Sequence, residues 1–415
     1  MAFQSSKFQA GSHQTLAQAA LLIFAAAVTC VYALGHRSSA DVSSHTGRLL
    51  RAPEAGLVRS LIDIRSNRMD AALREIEGLL ATRPNFRLAQ MIKGDLLMAR
   101  TRPIDALGGA AAAPQERVED LRAEAQARLQ RYALDDPHLL VPKYVLQLAP
   151  GQKAALVIDT AKSTLFVFQN DGHGLHYVAD YYITVGKNGT EKSREGDKRT
   201  PLGVYHVTGT LPRQALSDFY GSGAYPINYP NEWDLLRGRD GHGIWLHGTP
   251  ADTYSRPPRA SDGCIVLSNE DLGIIASHLQ FGHTPVIIAD GVEWVTPDVL
   301  RDARSELTAE IERWRHDWES RDTETYLQHY AAKFSSRDMD FAQWAAQKRA
   351  VNAGKSWIRL KLDDVSLILY PGKEEIAVVT FGQDYASNNL SNQMRKRQYW
   401  IRQGHTWKII FEGAA

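Results

Sequence analysis

The stretch SDGCIVLSNEDL, residues 261–272, decides how this chain is read. It holds Cys264, one of two cysteines in 415 residues; the other, Cys30, lies in an apolar run near the N-terminus. Gly263 precedes the thiol and the β-prone triplet Ile265-Val266-Leu267 follows it. That order reads as a tight turn delivering a thiol to the start of a strand. Beyond it, Asn269 to Leu279 has a helical pattern, with Ser268 and Asp271 placed as a capping box. A lone thiol is either buried and inert or kept for its reactivity, so its surroundings must separate the two.

Upstream, GIWLHGT places His247 at a strand end. A nucleophilic cysteine needs a base, a group that fixes the base, and donors for an oxyanion. Two strand ends side by side would bring the imidazole to the sulfur, where an imidazolium lowers the thiol's pKa and forms an ion pair ready for attack. Gly263 has no side chain, so backbone N–H groups there can approach a developing oxyanion. Among fourteen histidines, a bare Cys/His spacing is a weak signal. A metal site built from His242, His247 and Asp262 is disfavoured, because those histidines would face opposite sides of a strand.

The wording around the pair is more specific. HG followed by SxGC, with GDKRTPLGVY upstream supplying Thr200, Pro201 and Gly203, resembles the L,D-transpeptidase catalytic domain, or YkuD domain. The resemblance covers about Ala154 to Asp290. It implies a β-rich fold with Cys264 as nucleophile and His247 as general base. The Gly248 carbonyl would hold the imidazole, and the N–H groups of Gly263 and Cys264 would form the oxyanion hole. It implies peptidoglycan stem tetrapeptides as substrates, with attack on the L-centre carbonyl of the third residue and release of D-alanine. The thioester would pass to an amine on a neighbouring stem, without metal or organic cofactor.

Two positions depart from the family. Asp262 stands where histidine is usual, and a carboxylate there disfavours the thiolate unless it hydrogen-bonds His247 or the incoming ammonium. Val266 stands where Arg or Asn is frequent. The candidate substrate-binding residues are Ser261, Asp262, Arg256 and Arg259, the arginines being either carboxylate ligands or solvated loop charges. Water in place of the amine would make an L,D-carboxypeptidase. A protein attached to the wall is a further possible acceptor, and Asp262 read as lost activity would leave a wall-binding scaffold.

The remaining chain is multidomain. Composition is globular, with 44% hydrophobic and 23% charged residues, and a net charge of +1 does not point to nucleic acid. Leu16 to Leu34 is uncharged, so residues 1–40 read as a signal peptide or membrane anchor and the protein as exported to the periplasm or envelope. Against a cytoplasmic N-terminus, Lys7 alone precedes the run while Arg37, Arg48 and Arg51 follow it. Residues 50–133 form a helical module: Leu57, Leu61, Ile64, Leu73, Ile76, Leu79 and Leu80 recur at helical spacing. NRMDAALREIEGLLATRPNF resembles part of a tetratricopeptide unit, and Arg68, Ala72 and Leu73 are echoed by Arg102, Ala106 and Leu107. Such a module is a candidate surface for a protein partner.

Residues 134–153, with three prolines between Asp135 and Pro150, read as a linker. The catalytic domain takes 154–292, opening with a hairpin of ALVID and TLFVFQ around Thr160–Ser163. From 300 to 415 a helical stretch, LTAEIERWRHDWESRDTETYLQHYAAKF, precedes four strand candidates ending in WKIIFE. These features resemble the α+β cone of nuclear transport factor 2 (NTF2) and its relatives over about Leu307 to Gly413. Its aromatic residues read as core rather than as a ligand cage.

Overall fold

The computed structural model describes residues 52–109, 112–132, 140–172, 174–336 and 339–415. The apolar run Leu16–Leu34 and Cys30 lie outside the described residues. Among those described, no helix is long and apolar enough to cross a membrane.

The N-terminal module consists of helices Ala52–Arg65, Met69–Thr82, Arg87–Met98 and Gln115–Tyr132. The periodic apolar residues do face one another: Leu57, Leu73, Ile76, Leu79, Leu88 and Ile92 share one core. The repeat echo is not carried into structure. Ala72 and Leu73 are buried in a helix, whereas Arg102, Ala106 and Leu107 fall in turns after Met98, where Pro103 removes a backbone donor.

The catalytic domain is built on a five-stranded sheet ordered Leu175–Tyr182, Thr164–Asn170, Ala154–Asp159, Pro285–Ala289, Gly203–His206. The predicted hairpin pairs Ala154 with Gln169 and Asp159 with Thr164. Its two central strands are buried on both faces, which explains their continuous apolar composition. Leu156, Ile158, Leu165 and Val167 pack into the core beneath the thiol site. Ala155, Val157, Phe166 and Phe168 pack the other way, with Tyr370, Val378, Tyr399 and Phe411 of the C-terminal domain. A small second sheet, Ile265–Val266, Trp245–His247 and Ala224–Pro226, brings the segments of His247 and Cys264 side by side.

The C-terminal domain wraps helices Pro297–Ser320 and Phe341–Ala353 over a seven-stranded sheet. The long helix stops at Ser320 because Arg321 takes the left-handed conformation, and Asp322 then caps Thr323–Leu327. Residues 330–334, expected to be helical, belong to the strand Tyr330–Ser336 paired with Thr406–Ala414. Tyr330, Ala331 and Phe334 have a spacing that fits a helix face, but pairing with Thr406–Ala414 overrides it. Trp314, Trp318, Tyr326, Tyr330, Trp344 and Tyr385 form its core. That core also encloses charge: Lys348 lies over the Trp344 and Trp318 rings at 4.1 and 4.8 Å, its pKa lowered to about 8 by burial and Lys396.

The segment between module and catalytic domain is not structureless. Val141–Pro142 pairs with Trp294–Val295, and Val145–Gln147 becomes the outermost strand of the C-terminal sheet, against Ile358–Leu369. Pro142 fits its two-stranded ribbon, where a missing N–H on an edge costs no ladder bond.

Candidate active site

Cys264 sits one residue before Ile265–Val266, which runs parallel to Trp245–His247 with Val266 opposite His247. Side chains alternate along a strand, so Cys264, two residues before Val266, shares a face with His247. The imidazole is 1% exposed, and its Nδ1 lies 2.7 Å from the Gly248 carbonyl oxygen. That bond places the N–H on Nδ1 and leaves Nε2 with its lone pair free to take a proton. Tyr220 meets the ring edge-on at 5.1 Å, and Phe219 lies at 6.0 Å. Gly248 is itself held close: a side chain there would strike Asn269 Oδ1 at 2.1 Å.

The turn before the thiol is braced from three sides. Ser261 Oγ donates to the Cys264 carbonyl oxygen at 2.6 Å and accepts from the Gly263 N–H at 3.1 Å. Thr200 Oγ1 donates to the Gly263 carbonyl oxygen at 3.0 Å and accepts from the Gly186 N–H at 2.9 Å. Gly263 has φ of 121°, and a Cβ there would lie 2.6 Å from the Arg199 carbonyl oxygen. The Thr-Pro-Gly segment therefore acts as the mould of the catalytic turn. Thr200→Val should leave two buried backbone groups without partners, costing about 1–3 kcal/mol and lowering the thermal midpoint. Thr200→Ser should restore most of it; equal midpoints for wild type and Val would remove the mould from the account.

Two of the expected roles change. Ser261 is buried and braces the turn, so its hydroxyl is not offered to substrate. The Gly263 N–H, expected in the oxyanion hole, is engaged by Ser261 Oγ. The Cys264 N–H has no acceptor among the described residues and remains as the donor beside the sulfur.

The protonation states also depart from a ready-made ion pair. Burial pushes the thiol up to about 11, with Asp262 adding to the rise, and it hydrogen-bonds to the Gly243 carbonyl oxygen at 3.4 Å rather than to His247. Burial lowers the imidazole to about 4, helped by Arg256. Between those values both groups are neutral, so His247 must take the thiol proton as attack proceeds. Alkylation of Cys264 by iodoacetamide should accordingly be slow at neutral pH. It should rise about tenfold per pH unit towards 11, since the thiolate is the reacting species. Mass analysis of the Cys264 peptide measures this; a plateau reached below pH 8 would contradict it.

Asp262 does not reach His247. It is exposed and paired with Lys187 at 2.8 Å, which holds its carboxyl below the usual range. Of the two arginines, Arg256 is at the site: it acts electrostatically on both Cys264 and His247, stacks at 4.3 Å over Phe219, and donates to the Phe219 carbonyl oxygen. Arg259 is exposed, on the strand Arg259–Ser261 beside Val185–Gly186. Lys187 and Lys192 were not singled out in the sequence. Both flank the family-like segments, but only the folded turn brings their charge towards the thiol and its neighbour. His242 pairs with Glu195 at 3.5 Å, so it, His247 and Asp262 have separate partners. A cavity of about 320 Å³ opens between the two domains, lined in part by His206, His283, Arg395 and Arg397, and does not include Cys264.

Comparison with known proteins matches two parts of the chain. Residues 153–288 match the L,D-transpeptidase catalytic domain (YkuD), and residues 306–413 match the Cds6 C-terminal NTF2-like domain. No curated protein sequence matches. Among solved structures, Bd1075 from Bdellovibrio bacteriovorus is 27% identical with a TM-score of 0.60, covering 66% of this chain and 98% of its own. The helical cell shape determining protein Pgp2 from Campylobacter jejuni is 25% identical with a TM-score of 0.57, covering 66% and 95%. The chain thus carries an L,D-transpeptidase catalytic domain of the YkuD kind, followed by an NTF2-like domain of the Cds6 C-terminal kind.

Proposed function

We propose that this protein is a cysteine-dependent acyltransferase of the cell envelope that acts on peptidoglycan stem peptides. The observation that supports it most is the buried His247, tautomer-fixed by Gly248 and on the same strand face as a thiol whose turn is moulded by Thr200. Cys264 Sγ bonds to the carbonyl carbon of the third stem residue while its proton goes to His247 Nε2. The C–N bond to D-alanine then breaks, and the amine leaves with that proton. The oxyanion accepts a hydrogen bond from the Cys264 N–H in this reading. An amine of a second stem attacks the thioester, gives its proton to His247, and releases the thiol.

The cationic rim suits such a donor. Of its cations, Lys187 is paired with Asp262 and Lys192 with Asp197, so Arg256, which acts electrostatically on the thiol, is the one left to match a carboxylate of the stem peptide. A second reading has water as acceptor, giving tripeptide stems. It keeps every residue role, with water attacking the same Cys264 thioester in place of the amine and giving its proton to His247. Incubating the full-length protein with purified tetrapeptide fragments, followed by mass analysis, decides between them. Crosslinked dimers mean transfer to an amine, tripeptide alone means hydrolysis, and neither product means that the reading is wrong.

A further inference from the structure

The helical module lies outside both family models, and the solved neighbours nearly fill their own lengths while covering two-thirds of this chain. It nevertheless packs on the loop between His247 and the catalytic turn. Asn85 Nδ2 donates to the Ala251 carbonyl oxygen at 3.1 Å, and the Phe86 ring lies 4.6 Å from that of Tyr254. Ser255 Oγ donates to Glu124 Oε1 at 2.6 Å. Arg128, 2% exposed, pairs with Glu54 and Glu124, and its guanidinium lies 4.0 Å from the Tyr182 ring centroid. The Tyr182 hydroxyl in turn donates to the Arg256 carbonyl oxygen at 2.9 Å, and Thr184 Oγ1 donates to the same oxygen at 3.0 Å. Nearby, Arg131 pairs with Asp180 of the catalytic sheet.

These contacts converge on one residue. Ser255 and Tyr182 grip the backbone on either side of Arg256, and both are held by groups of the Gln115–Tyr132 helix. A charge network this deeply buried has fixed geometry, because each member loses its solvation unless it stays paired. The module therefore does not merely sit beside the catalytic domain.

We propose that the helical module is a positioning element of the thiol site, acting through Glu124 and Arg128 on Ser255 and Tyr182 so that Arg256 is held beside Cys264. Its consequence for catalysis, selection of an acyl donor with an anionic group next to the reacting carbonyl, rests on the function proposed above. The positioning itself does not.

The test uses the full-length chain and two alkylating probes, anionic iodoacetate and neutral iodoacetamide. The ratio of their rates at Cys264 reports positive charge at the sulfur, since the thiolate fraction cancels at a common pH. Arg256→Ala should lower that ratio about threefold or more at low salt. The double variant Tyr182→Phe/Ser255→Ala keeps every charged partner of Arg128 and should lower the ratio comparably. Combining all three changes should give no further fall beyond Arg256→Ala, because the grip acts only through Arg256. A wild-type ratio in Arg256→Ala, a wild-type ratio in the double variant, or a full additional fall in the combination would each overturn the proposal. Stem-peptide turnover is measured alongside. A wild type without turnover defeats the proposed function, while the alkylation ratio still decides the positioning.

Discussion

Cys264→Ala, incubated at full length with tetrapeptide stems, is expected to yield neither tripeptide nor crosslinked dimer, a loss of at least about 10³-fold. The magnitude follows from the geometry. Ser261 and Thr200 hold the turn through the backbone of residues 263 and 264 and not through the sulfur, so the fold survives the change while the nucleophile is gone. His247→Ala should cost about 10²–10⁴-fold, because a thiol raised to about 11 has little thiolate at neutral pH without a base. Its residual rate should climb with pH as the thiol ionises unaided, whereas the Cys264→Ala background should stay flat. A Cys264→Ala protein that still releases D-alanine would exclude this thiol as the nucleophile.

Arg128→Ala is expected to have the largest effect on stability. The side chain neutralises Glu54 and Glu124, both buried, and Glu124 is already pushed upward by burial despite the pairing. Removing the cation leaves Glu124 without a counter-charge and Glu54 with Arg131 alone in a dry interface, which costs about 3–5 kcal/mol. The first transition in urea should move to lower denaturant, and proteolysis should begin within residues 52–132. Arg128→Met/Glu54→Gln/Glu124→Gln, which removes charge on both sides, should recover much of the loss. An unchanged first transition in Arg128→Ala would show that the network contributes no net stability.

What could be read from the residues themselves follows a physical boundary. Cys264, His247 and Thr200 lie in short segments whose backbone demands are local, so their neighbours betray them. The hairpin around Thr160–Ser163 is legible for the same reason. Arg128 and Glu124 were not legible, because charges on an amphipathic helix ordinarily face water, and only the packing of that helix on the catalytic domain buries them. The role of Ser261 was hidden similarly: a hydroxyl beside a reactive thiol suggests substrate contact, and its bonds within the turn appear only once the chain bends at Gly263. Helix Phe341–Ala353 escaped notice too, its apolar residues being mostly alanines and its capping box at Asp340 and Gln343 following directly from a short strand.

The outermost strand Val145–Gln147 has a further consequence. The chain lays down one edge of the C-terminal sheet, then runs through the whole catalytic domain, and only afterwards supplies the strands that this edge must join. Topologically, the catalytic domain is an insertion within the tail domain. During synthesis, that first strand waits unpaired until Ile358–Leu369 has left the ribosome. A deletion that begins after Val295 therefore strips a neighbour from Val145–Gln147 and bares the apolar face around Phe166 and Phe168 as well. Swapping the tail between proteins requires two cuts, one on each side of the catalytic domain.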